Sequence, residues 1–89
     1  MRSDQDSPLQ FPCEFPVKVI GAAGGDFLEH VLAICREIVG EIPPEAVSTR
    51  TSQEGRYLAV TVRVEARSRL QLDSLYQALH ASERVLMLL

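Results

Sequence analysis

Along this chain the apolar positions change their period in a fixed order. From Phe15 to Gly21 they alternate, with Val17 and Val19 on one side and Lys18 and Ile20 on the other. That is the pattern of a half-buried strand whose lysine side is the less covered. From Phe27 to Val39 the spacing lengthens to that of a helix. Phe27, Leu28, Val31, Leu32, Ile34, Cys35, Ile38 and Val39 share one face, and Glu29, His30, Arg36 and Glu37 fall outside it. Alternation returns in a short polar run, about Ala46 to Thr51, which suits an edge strand. It returns again where Leu58, Val60, Val62 and Val64 interleave with Tyr57, Ala59, Thr61, Arg63 and Glu65. Leu72, Leu75, Tyr76 and Leu79 make a second helical stripe, and Arg84 to Leu89 reads as a strand apolar on both faces.

Local signals set the boundaries. Pro16 has no N–H for a ladder, so it belongs at the beginning of the first strand. Asp26 followed by Glu29 resembles a capping box, in which the aspartate accepts from free N–H groups of the first helical turn. Gly40 supplies a left-handed residue to end that helix, and Pro43-Pro44 prevents its resumption. Gly55 is the positive-φ residue of the hairpin loop Ser52 to Gly55. Ser68 with Gln71 repeats the capping logic at the second helix.

Strand, helix, strand, strand, helix, strand is the order of the split βαβ unit. It predicts an α+β, ferredoxin-like βαββαβ domain over residues 11–89. Its four-stranded antiparallel sheet has the order 4-1-3-2, with two helices on one face and the other face open. Residues 1–10 (MRSDQDSPLQ) are polar and aperiodic and read as a flexible N-terminal tail.

Composition narrows the partners. Eighty-nine residues suit one domain, and the net charge of −3 argues against nucleic acid, whose affinity comes from cations at phosphates. No apolar run approaches the roughly 20 residues of a membrane span, so no membrane association is expected. The first residues lack the apolar stretch of an export signal. With only Cys13 and Cys35 and no disulfide framework, the expected compartment is cytoplasmic.

Candidate chemistry is thin. Cys13 sits beside Glu14, which opposes a thiolate, and Cys35 lies inside an apolar stripe as a small hydrophobe. His30 falls on the polar side of its helix, where solvation is expected. His80 sits in the last turn of the second helix, where it favours the helix dipole. Neither has a second ligand at helical spacing, so no metal and no cofactor are expected. The turn Gly21 to Gly25 before a helix offers N–H groups to an anion, and Gly24, Gly25 and Asp26 form a candidate loop for a carboxylate effector. Asp26 is itself an anion placed to take those N–H groups. The outward set Lys18, Ile20, Ala59, Thr61 and Arg63 lacks the aromatic platform of RNA-binding domains.

The last strand is the more informative feature. One of its faces belongs to the core. The other, read as Leu86 and Leu88 with Ile20 beside them, has no covering element in a lone domain of this topology. An apolar strand left uncovered at a sheet edge marks an association surface.

Taken together, FPCEFPVKVIG, the spacing from Gly21 to the first helix, Gly55-Arg56-Tyr57 leading into LAVTVRVEA, and Leu75-Tyr76 resemble the YbeD-like family of small bacterial proteins. The resemblance covers residues 11–89, and the Gly24-Gly25 pair departs from it. It implies a βαββαβ domain similar to ACT-type regulatory modules, with no catalytic residues to carry over. The expectation is a non-enzymatic regulatory or protein-interaction module, meeting a protein partner or a second copy as a homodimer through the last strand and the open face. The alternative is an ACT-like domain that binds a carboxylate metabolite at residues 21–26.

Overall fold

The computed structural model describes residues 10–89. Except for Gln10, the expected tail therefore lies outside the described residues. The elements are β1 (Cys13–Ala22), α1 (Phe27–Val39), β2 (Val47–Thr51), β3 (Tyr57–Ala66), α2 (Arg69–His80) and β4 (Val85–Leu88). The strands pair antiparallel in the order β2-β3-β1-β4, which is the expected order read from its other edge.

Alternation decides which side of the sheet the helices cover. Val17 and Val19 of β1 and Val60, Val62 and Val64 of β3 are buried against Phe27, Val31 and Cys35 of α1 and Leu75 and Leu79 of α2. Each such side chain contributes about 1.5–3 kcal/mol by leaving water. Lys18, Arg63 and Glu65 point the other way and stay exposed. Helix α1 ends at Gly40, whose φ of +85° only glycine adopts at low cost, with its N–H on the Arg36 carbonyl at 2.9 Å. At the start of α2, Ser68 Oγ accepts from the Gln71 N–H at 3.0 Å. The Gln71 amide reaches one residue further than a capping box does. Its oxygen accepts from the Arg67 N–H (2.8 Å) and its nitrogen donates to the Ile38 carbonyl (3.2 Å), tying α2 to the end of α1.

Three boundaries differ from the expectation. Pro16 lies inside β1, which already begins at Cys13. Lys18, two residues on, exchanges backbone bonds with Leu89 at 3.3 and 2.8 Å, so the Pro16 nitrogen also points to the β4 side. No β4 residue is paired there, and the ladder loses no donor. Ala46 is the buried residue of a 3-10 turn, Pro44–Ala46, and β2 starts one residue later. In β4 the alternation breaks. Val19 pairs with Leu88 and Ile20 with Met87, but Gly21 pairs with Val85, which makes Leu86 the extra residue of a β-bulge. Leu88, opposite the buried Val19, therefore turns to the helix side and packs on the core. Met87, opposite Ile20, takes the open-face position that alternation gave to Leu88.

The bulge coincides with a close approach at Gly21. A Cβ there would overlap the Phe27 ring and lie 2.7 Å from the Arg84 carbonyl oxygen. Phe27 is fully buried in the space that the missing side chain leaves. Gly21→Ala should lower the free energy of unfolding in urea by about 1–3 kcal/mol, because backbone and a buried ring must both move. Gly24→Ala meets nothing closer than 4.0 Å and should change it by less than about 0.5 kcal/mol.

Candidate functional site

Register sets which side chains stand on the face that the helices leave open. Opposite residues in an antiparallel pair share a side, so Ile20 and Met87 stand together, and Leu89 stands with Lys18. Met87 and Leu89 are 53% and 58% exposed, and Leu86 at the bulge is 60% exposed. Of the residues expected at this surface, Ile20 is half-buried on the open face and Leu86 lies at the exposed bulge. Leu88 is on the other side of the sheet, for the reason given by the bulge. Met87 takes its place. A strict alternation cannot reveal this; the local sign of it is the missing side chain at Gly21, beside which the Arg84 carbonyl passes.

The loop between β1 and α1 holds β4 in position. Asp26 makes no side-chain cap on α1, and its backbone (φ −120°, ψ 14°) is not that of a capping residue. Instead its Oδ1 accepts from Arg84 Nη2 at 2.6 Å. With both partners ionised, this bond outcompetes a cap whose donor would be a neutral N–H. The same guanidinium lies 5.8 Å from the centre of the Phe27 ring, within cation–π range. The Arg84 hydrogen bond, and then its charge, hold the Asp26 carboxyl below the ordinary value of 3.8. Gly24 and Gly25 are exposed, and Asp26 of the same candidate effector loop is committed to Arg84. His30 is not simply solvated. Its Nε2 and Ser82 Oγ are 2.8 Å apart, and that oxygen also accepts from the Arg84 N–H at 3.2 Å. Two bridges thus join the start of α1 to the approach to β4, and neither was visible as a sequence motif.

Other polar groups are dispersed. Burial pushes the Cys35 thiol up to about 11, whereas Cys13 is half-exposed. Cys13 borders a cleft of 810 Å³ between the end of α1 and the sheet, with Arg63, Arg67 and Gln71. There Gln71 is bonded at both ends and Arg63 donates to the Glu45 carbonyl at 2.7 Å. A groove of 510 Å³ runs between Tyr76 and His80 of α2 and Leu88. Among the described residues no cluster of three or more His, Cys, Asp or Glu is placed to hold a metal ion. No helix there is long and apolar enough to cross a membrane.

Residues 6–89 match the family described as Protein of unknown function (DUF493). The UPF0250 protein NE1487 of Nitrosomonas europaea is 40% identical over 85 residues, covering 96% of this chain and 98% of that protein. A UPF0250 protein of Neisseria gonorrhoeae is 36% identical over 84 residues, 94% of this chain and 92% of its own length. Among solved structures, protein HP0495 of H. pylori superposes with a TM-score of 0.77 at 18% identity, covering 100% of this chain and 94% of that one. That likeness confirms the ferredoxin-like fold.

Two measurements check the local chemistry. A carboxyl whose pKa falls on folding adds stability above its unfolded value and loses it as pH drops through the folded value. Asp26→Asn should therefore be less stable than wild type at neutral pH, the gap narrowing once pH falls below 3.8. Urea titrations at several pH values report this, and added salt should shrink the gap because the pair is exposed. Iodoacetamide on the native protein should modify Cys13 and spare Cys35 until unfolding, as read by mass.

Proposed function

The chain belongs to the family described as Protein of unknown function (DUF493), the UPF0250 or YbeD-like proteins, and from that premise we propose a regulatory module that docks a protein partner. It is not an enzyme in this reading, and it acts in the cytoplasm. The supporting observation is the edge of the sheet. Met87 and Leu89, each more than half exposed, stand beside Ile20 and Lys18 on a face that neither helix covers. Apolar edge strands of this kind associate unless something covers them.

The polar groups support a non-catalytic role. His30, Ser82, Arg84 and Asp26 are used in bridging α1 to β4, and they do not converge on a cleft with a free acid or base. The two free cysteines fit a reducing compartment. An effector at Gly24, Gly25 and Asp26 would have to displace the aspartate from Arg84, so the docking reading is preferred.

A photo-crosslinking side chain at position 87 tests it in native lysate. Defined protein adducts should form there and should be absent with the same group at position 70, a leucine on α2 that is still more exposed, at 76%. Adding Ile20→Lys should remove the adducts. Equal labelling from both positions would contradict the proposal.

A further inference from the structure

The open face carries a charge pattern beside its apolar margin. Register sets its side chains in rows. Lys18, Thr61 and Ser48 form one row, and Ile20, Ala59 and Arg50 form the next, with Met87 continuing it onto β4. Arg63 stands opposite Pro16, one row to the other side of Thr61. Directly opposite side chains lie about 5 Å apart and diagonal ones about 7–8 Å apart. Three cations therefore surround a floor of small residues, Thr61, Ala59 and Ser48.

Lys18, Arg50 and Arg63 are all exposed. Among the described residues, the Lys18 and Arg50 side chains have no hydrogen-bond or ion-pair partner. Arg63 is anchored at one end by the Glu45 carbonyl. The carboxylates of this face, Glu14 and Glu65, stand opposite each other beyond Arg63, away from Lys18 and Arg50. In a chain whose net charge is −3, the centre of the open face is locally cationic.

We propose that this basin receives the carboxylates of an acidic protein segment, whose apolar side chains lie along Ile20 and Met87. The inference rests on the docking reading above and adds the chemistry of the partner. Charge complementarity selects the occupant: carboxylates meet Lys18, Arg50 and Arg63, and the Ser48 and Thr61 hydroxyls donate from the floor. A two-fold dimer through the centre of the face would set these cations against their own copies, so a second copy of the chain fits less well.

The test is a titration of the ¹⁵N-labelled full chain with a synthetic peptide that alternates glutamate and leucine. A lysine–leucine peptide and a single-stranded oligonucleotide serve as the other arms. The acidic peptide should shift the amides of Lys18, Ile20, Arg50, Ala59, Thr61 and Met87. Lys18→Glu with Arg50→Glu should weaken its affinity about tenfold or more, and salt near 1 M, where the screening length is about 3 Å, should abolish the effect. Both positions are exposed, so the fold tolerates the change. Equal binding of the lysine peptide, or tighter binding of the oligonucleotide at the same amides, would overturn the proposal. Shifts confined to Ile20, Met87 and Leu89, and unmoved by charge reversal, would remove the acidic chemistry but keep the docking surface. No shifts on the sheet face with any probe would remove both.

Discussion

The Phe27 ring packed into the space above Gly21 fixes the geometry of one whole side of this molecule. It is a steric condition before it is an energetic one. With a Cβ at position 21 the ring could not enter, and the Arg84 carbonyl could not pass so close to β1. Given the glycine, the ring is fully buried, the approach to β4 crosses directly over it, and Arg84 lies above the ring while holding Asp26. The β-bulge sits at the same step. Core packing, the turn into α1 and the phase of the last strand are consequences of one contact.

That phase determines what the molecule shows to solvent. Because Leu86 is the extra residue, Leu88 joins the core and Met87 joins Ile20 outside. The helices cover one face, and the other keeps an apolar margin along β4 beside a cationic centre on β1, β2 and β3. A sheet with one wet face ordinarily alternates apolar-in with polar-out. β3 obeys that rule, with Val60, Val62 and Val64 buried and Arg63 and Glu65 exposed. β4 departs from it, and the departure is what suggests a binding role.

Most of the fold is legible in the residues because local and tertiary preferences agree. The apolar stripe from Phe27 to Val39 gives α1 residue for residue, and the valines of β3 give its inner face. What escaped the sequence has a common cause, namely pairing between distant segments. Asp26 prefers an arginine 58 positions away to the N–H groups beside it, and His30 meets a serine 52 positions away. The bulge is of the same kind, since nothing in VLMLL states which residue is the extra one. Pro16 sits inside a strand only because β4 has no paired residue opposite it. Alternation alone accordingly put Leu88 on the open face, where the bulge places Met87 instead.

The phase of β4 against β1 is the point on which the proposed surface stands, and methyl-resolved nuclear Overhauser spectroscopy reads it directly. The Met87 methyl should lie close to Ile20, and the Leu88 methyls should lie close to the Tyr76 ring and to Ala81 across the α2 groove. Strong contacts from Leu88 to Ile20, with Met87 turned toward α2, would place β4 in the opposite phase and contradict the account.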